Sequence, residues 1–307
     1  FYPYEIALAI LTILSILEIT RRVVGMSMSI IAVIFLVHMW VGEYLPGDFY
    51  VPQPTVNQAV HFMVYSSEGI FGTILGVAST IIIMFVIFGQ FLQSTPLGHF
   101  FINMALALFG HVRGGPAKVG VVASLLFGTI TGSANANVAA VGSFTIPMMK
   151  SVGYRVNFAG AVESVASSGA QIMPPVMGAT AFLISQFLNI SYWSVCIAAF
   201  IPALLYYWAL FVAVDSEAVK NGLMGLPRSE CPPIMKTLKE GWLALIPLAV
   251  LVILLGAFRY EAATAALYSL ILLIIIAMMQ KRTRLKLSDF VAVFVGSGRG
   301  TLPAGNA

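Results

Sequence analysis

Long apolar runs, each nearly free of charge and close to membrane-crossing length, recur near residues 4–20, 25–44, 71–94, 191–214, 241–258 and 262–279. A helix needs roughly 20 residues to cross a hydrocarbon core of about 30 Å. Charged residues are 9% of the chain and apolar ones 59%, with a mean hydropathy of +0.94. A soluble domain carries about 25% charge, and a chain so poor in polar groups could not cover its surface in water. These runs predict an all-α polytopic membrane protein. Segments 55–68 and 97–111 are shorter and more amphipathic, and are expected along the interface or bent within the protein.

Threading the spans alternately through the bilayer sorts the charges. Arg21, Arg22, Arg113, Lys118, Lys150, Arg155, Lys220, Arg228, Lys236, Lys239, Lys281, Arg282, Arg284 and Lys286 fall on one side. Arg259 falls on the other, and Arg299 stays unassigned. The excess of Lys and Arg marks the first side as cytoplasmic, so the net charge of +4 reflects membrane orientation rather than nucleic-acid binding. The acidic turn Glu43 to Asp48, with Pro46 and Gly47, lies outside.

One stretch does not fit a simple span. Residues 119–149 carry no charge, yet Lys118 and Lys150 both belong on the basic side. A single helix there would be ~46 Å long and would end on the wrong face. A helix that enters, turns and returns solves both problems, with its turn within Gly128-Thr-Ile-Thr-Gly-Ser-Ala-Asn-Ala-Asn137. Non-helical backbone at membrane depth needs protein or a water-filled cavity around it. Gly120, Ser124, Gly128 and Gly132 form a stripe of small residues for close packing, and Ala136, Ala140 and Ala139, Ser143 do something similar on the return arm. Two packed structural helices with a polar loop would account for this pattern. A binding-site hairpin also accounts for Ser133, Asn135 and Asn137 at membrane depth.

A second interruption follows. Segment 157–168 is helical in pattern, with Ala159, Glu163 and Ser167 on one face and Gly160, Ser164 and Ser168 beside it. Ser168-Gly-Ala-Gln-Ile-Met-Pro-Pro175 then breaks the helix, and apolar character resumes from Gly178 to Leu188. Pro174 and Pro175 remove two backbone donors and push the residue before each out of the α region. Freed carbonyls and half-helix ends are how secondary transporters build ion and substrate sites. Carbonyl, hydroxyl and amide oxygens suit a hard cation such as Na⁺, and a half-helix N-terminus suits a carboxylate. Glu163 stands as a hydrogen-bond anchor within the bundle or as an intramembrane acid that binds a proton or cation.

Other features point elsewhere less strongly. The histidines are scattered, and neither an HExxH motif nor a pair of intramembrane aspartates is present, which argues against a membrane-embedded enzyme. Cys196 and Cys231 give no disulfide or metal framework. Tyr206, Tyr207 and Trp208 read as a lipid-interface belt.

At its interrupted elements the chain resembles the large membrane subunit of tripartite ATP-independent periplasmic (TRAP) transporters. The form that fits best is the fused small/large one that works with TAXI-type binding proteins. The resemblance rests on Gly110-His-Val-Arg-Gly-Gly-Pro-Ala-Lys118, Phe127-Gly-Thr-Ile-Thr-Gly-Ser133 and Gly142-Ser-Phe-Thr-Ile-Pro147. It continues through Gly153-Tyr154, Phe158-Ala-Gly-Ala-Val-Glu163 and Gln171-Ile-Met-Pro-Pro175, while Leu17-Glu-Ile-Thr-Arg-Arg22 looks like the end of the fused small subunit.

The resemblance implies an elevator-type, Na⁺-coupled importer of organic acids in a prokaryotic inner membrane. It would use no ATP and no cofactor, and would be fed by an extracytoplasmic TAXI-type binding protein. It implies an ion and substrate site at Gly132, Ser133, Asn135 and Asn137 of the hairpin tip and at Ser168, Gly169, Gln171 and Pro174 of the break. A related carboxylate symporter that needs no binding protein is the alternative. The expected organisation is 1–24 from the small subunit, 25–112 scaffold helices and an amphipathic arm, and 113–190 half of the transport domain. Within that half lie a re-entrant hairpin at 116–150 and a broken helix at 157–188. Residues 191–286 are then scaffold and linking helices, and 287–307 the truncated start of a second, inverted repeat. On this reading the chain is a fragment holding half a site and unable to transport unaided.

Overall fold

A computed structural model describes residues 2–95, 97–279 and 290–298, and the described residues are helical with connecting turns. The described residues divide into two compact units, one from 2–80 with 298 and the other within 81–297.

In the first unit, α1 (Pro3–Val23) and α2 (Met26–Val41) pack together, and Ser29 Oγ donates to the Leu17 carbonyl. Gly25 joins them at φ 115°, a conformation open to glycine. Glu18 pairs with Arg21 and Arg22 at the end of α1. Thr55 and Gln58 cap the short α3 (Val56–Val60) reciprocally. Val60 and Val64 bury against Ala9, while Leu8, Leu11, Leu14 and Phe35 remain exposed. An apolar exterior on these helices suits a lipid environment.

The apolar stretch Thr73–Ser94 contains α4 (Thr73–Val77) and α5 (Ile83–Ser94) and spans the boundary between the units. In the second unit, α6 (Leu97–Phe109) packs against α7 (Gly115–Thr131) and α12 (Ile234–Gly256). The return arm is α8 (Ala134–Ser151), followed by α9 (Val156–Ser168), α10 (Ala179–Phe187), α11 (Tyr192–Lys220) and α13 (Ala262–Met279). A short helix at 290–298 lays Phe290 and Phe294 edge-on against Phe91.

Among the described residues, Met26–Tyr44, Thr73–Ser94, Tyr192–Lys220 and Ala262–Met279 are long and apolar enough to cross a membrane. They coincide with four runs predicted from the sequence. α11 continues past the predicted end at 214 because Asp215 is held by Arg113 and Lys118, at 2.7 and 2.6 Å. Residues Lys281 to Lys286, Arg299 and most of the expected second-repeat start at 287–307 lie outside the described residues.

The hairpin is present. Its two arms are antiparallel, with Gly120 packed opposite Thr145, and that register puts Lys118 and Lys150 at the same open end. Each arm is about 25 Å long, short of a full crossing. The open end is tied to α11 and the loop after it: Gly114 N–H donates to the Leu223 carbonyl, and Leu226 N–H to the Gly110 carbonyl. Tyr154 is buried there, and burial first, then the charges of Asp215 and Glu217, push its phenol up to about 12.

One detail narrows the sequence reading and a second corrects it. The turn is only Gly132-Ser133, because α7 continues through Gly128–Thr131 and α8 restarts at Ala134. On α8 the inward face is Asn137, Val141, Thr145 and Met149, whereas Ala139 and Ser143 are exposed. The polar bonds of Asn137 and Thr145 to neighbouring helices set that rotation.

Candidate functional site

The small-residue stripe of α7 faces the broken helix along its whole length. A Cβ on Gly120 would stand 3.7 Å from Glu163 Oε2, and Ser124 Oγ donates to Glu163 Oε1 at 3.0 Å. A Cβ on Gly128 would meet Ala170 Cα at 2.9 Å, and one on Gly132 would run into the Met177 carbonyl oxygen. The period of four therefore lays one face of the hairpin on α9 and then on the interruption beyond it.

The interruption itself has a defined shape. α9 ends at Ser168, a single tight turn covers Gly169–Gln171, and irregular backbone runs to Gly178 before α10 begins. The Pro174–Pro175 bond is cis. Gly178 N–H returns to the Gln171 carbonyl at 2.8 Å and closes the loop. Tyr192 reaches in from α11, where its hydroxyl accepts from Met177 N–H at 3.2 Å and donates to the Pro175 carbonyl at 2.8 Å. Gly169 is pressed against Tyr206 and Tyr207, so that a Cβ there would come within 2.6 Å of a ring atom.

The hairpin tip and the break are thus in contact, but their predicted side chains occupy different settings. Gly132 is buried in the left-handed conformation at φ 58°, which glycine adopts without penalty. Ser133 is half-buried and caps α8, accepting from Ala136 N–H at 3.4 Å. Asn135 is exposed. Asn137 is fully buried and donates through Nδ2 to the Ser124 carbonyl, while its Oδ1 has no partner among the described residues. The Thr131 hydroxyl, one residue before the tip, is also buried without a partner there. Ser168 is exposed and donates to the Ser164 carbonyl, Gly169 is buried, Gln171 is exposed and Pro174 is half-buried. Among the described residues no hydrogen bond joins the side chains of Ser133 or Asn135 to those of Ser168 or Gln171.

What the arrangement offers chemically is a cluster of oxygens. The Val176 and Met177 carbonyls face the Gly132 turn, the C-terminal end of α7 lies beside them, and the Thr131 hydroxyl is close in sequence. The first amides of α8, an 18-residue helix, start on the other side of that turn. Acceptor oxygens favour a cation and a helix N-terminus favours an anion, so both ligand types could be served within one turn of backbone.

Sequence reasoning missed the tyrosines. The hydroxyls of Tyr206 and Tyr207 donate to the Val165 and Ala166 carbonyls at 2.6 and 2.9 Å, and Tyr207 is buried. These two are fasteners for the last turn of α9, not a lipid belt; Trp208 alone is exposed as a belt residue would be. An aromatic run inside a long apolar helix gives no hint of its inward partners.

Residues 11–303 match the sequence family described as tripartite ATP-independent periplasmic transporter, DctM component. The large permease protein SiaM of a sialic acid TRAP transporter from Vibrio cholerae is 31% identical over 192 residues, 61% of this chain and 44% of the relative. The C4-dicarboxylate TRAP transporter large permease protein DctM of Pseudomonas aeruginosa is 29% identical over 222 residues, 71% of this chain and 50% of the relative. The ectoine TRAP transporter large permease protein TeaC of Halomonas elongata is 28% identical over 262 residues, 81% of this chain and 59% of the relative. The chain spans about half the length of the curated relatives it matches.

Proposed function

We propose, because this chain belongs to the DctM family of tripartite ATP-independent periplasmic transporters, that it builds one half of the ion and substrate site of a Na⁺-coupled importer of organic acids. It is a multi-pass inner-membrane permease chain and not an enzyme. The observation that carries the reading is the contact of two interrupted elements. The Gly132-Ser133 turn rests on the Val176 and Met177 carbonyls beyond the double proline. Two breaks that meet where backbone oxygens are turned inward are a costly arrangement for purely structural helices in lipid.

In this reading Na⁺ is held by oxygens around the tip and the break, with Gly132, Ser133, Asn137, Ser168, Gly169 and Pro174 supplying backbone or side-chain groups. The carboxylate lies toward the first turn of α8 and the exposed amides of Asn135 and Gln171. Sialic acid and C4-dicarboxylates, named for two of the relatives, both carry carboxylates, which supports organic acids as the class. The binding-protein partner, its TAXI type, and the origin of residues 1–24 in a fused small subunit rest on the motif resemblance, and so do the scaffold and transport divisions.

In the full-length permease, Ser133→Leu or Asn135→Leu should abolish Na⁺-stimulated uptake while membrane insertion and expression stay normal. Uptake that keeps its ordinary Na⁺ dependence in both variants sinks the assignment of the tip. A second measurement separates the reading from a simpler symporter. Uptake into vesicles should require the purified extracytoplasmic binding protein, and full uptake without it would favour a carboxylate/Na⁺ symporter that works alone.

A further inference from the structure

Between the hairpin and the first half of the broken helix sits a carboxyl group that the site just described does not use. Glu163, in the middle of α9, has no exposed surface. Ser124 Oγ of α7 lies 3.0 Å and Ser167 Oγ of α9 3.1 Å from its Oε1, while Thr145 Oγ1 of α8 lies 2.5 Å from its Oε2. Thr145 Oγ1 also lies 3.1 Å from the Val141 carbonyl, one helical turn back. A threonine hydroxyl has a single hydrogen to donate, so it cannot serve both acceptors.

The surroundings are closed and, among the described residues, carry no opposite charge. A Cβ on Gly142 would come within 2.9 Å of Glu163 Cγ. Of the charged groups on the helices packed against α9, Lys118 is taken by Asp215 of α11, and Lys150 is exposed at the open end of the hairpin. Tyr207 of α11 is the titratable group nearby, and its hydroxyl is committed to the Ala166 carbonyl. The ion pairs among the described residues involve Glu18 and Asp215, not Glu163. A fully buried carboxylate with no partner charge is among the costliest groups a protein can hold.

We propose that Glu163 is a proton-binding site: it carries its proton on Oε2, donates it to Thr145 Oγ1, and as a neutral acid fastens both hairpin arms to the broken helix. Each hydrogen then has one place. Ser124 and Ser167 give theirs to Oε1, Glu163 gives its own to Thr145, and Thr145 gives its hydrogen to the Val141 carbonyl. Glu163 is on this view a positioning residue that makes the hairpin and α9 one mechanical piece. The proposal concerns the proton and does not depend on which substrate is carried.

Infrared spectroscopy of the full-length permease in lipid decides it. At neutral pH the protein labelled with ¹³C-glutamate should show a shifted neutral-acid carbonyl band, since Glu163 is fully buried. Glu163→Gln should remove that band and keep uptake within about threefold, because its amide accepts two bonds at Oε1 and donates to Thr145 from Nε2, leaving one N–H hydrogen without a counterpart in the neutral acid. Glu163→Asp, one methylene shorter, should lower uptake roughly tenfold through lost buried hydrogen bonds. Absence of a glutamate neutral-acid band in the wild type overturns the proposal. So does a Glu163→Gln protein that assembles but loses Na⁺ stimulation, which would make Glu163 an ionised cation ligand. If the wild type carries no organic acid, the substrate reading fails while the spectrum still reports on the proton.

Discussion

Replacing Gly132 with alanine is expected to separate the hairpin tip from the break and to eliminate uptake. Two effects add at this position. An L-residue held at φ 58° costs roughly 1–2 kcal/mol. The new Cβ would also overlap the Met177 carbonyl oxygen, a backbone atom that cannot rotate away, and overpacking of that kind costs about 1–3 kcal/mol. Gly222 provides the control: it has φ 63°, but a methyl group added there would meet nothing within 4 Å. Gly222→Ala should therefore show the conformational cost alone, roughly 1–2 kcal/mol. Thermal or denaturant unfolding of the two variants in one detergent isolates the tip contact by difference. Equal destabilisation would mean that the tip does not press on the break.

Much of the architecture was legible because lipid leaves few choices. Apolar runs bounded by charges located α2, α13 and the start of α11 to within a few residues, since a spanning helix must be about as long as the bilayer is thick. The matched positions of Lys118 and Lys150 exposed the hairpin, because charge cannot be left in the wrong leaflet without cost. The inward face of α9, with Ala159, Glu163 and Ser167, followed from helical spacing, and all three are fully buried.

What stayed hidden involves partners far apart in sequence or choices that small residues leave open. The turn shrank from a ten-residue polar stretch to Gly132-Ser133 because a left-handed glycine can cap one helix while the next residue caps another. On α8, alanine and serine occur on several faces, so composition did not reveal that Asn137 and Thr145 would decide which side turns inward. Asp215 extends α11 beyond its apolar run by pairing with Arg113 and Lys118, groups about a hundred residues earlier. No local pattern announces such a bond.

Tyr192→Phe is the sharpest test of what holds the break in shape. Its ring stacks on Phe182 of α10 with centroids 4.4 Å apart, and phenylalanine preserves that packing. The hydroxyl alone spans the interruption, accepting from Met177 N–H and donating to the Pro175 carbonyl. Tyr192 is buried, so water cannot replace it without rearrangement, and a buried group left unsatisfied costs about 1–3 kcal/mol. The Pro175 carbonyl keeps the Cys196 thiol as a weak donor at 4.0 Å, so the unpaired Met177 N–H carries most of the loss, roughly 1–3 kcal/mol. Tyr207→Phe removes one bond, to the Ala166 carbonyl, and should cost about 1 kcal/mol. Unfolding curves for both variants give the ratio, and uptake assays give the consequence. Because the Met177 carbonyl is the surface on which the Gly132 turn rests, loosening its own amide should lower uptake more in Tyr192→Phe than in Tyr207→Phe, even at equal expression. Were the two variants equally stable and equally active, the irregular backbone between Gly169 and Gly178 would be held by its own turns, and α11 would be only a neighbour.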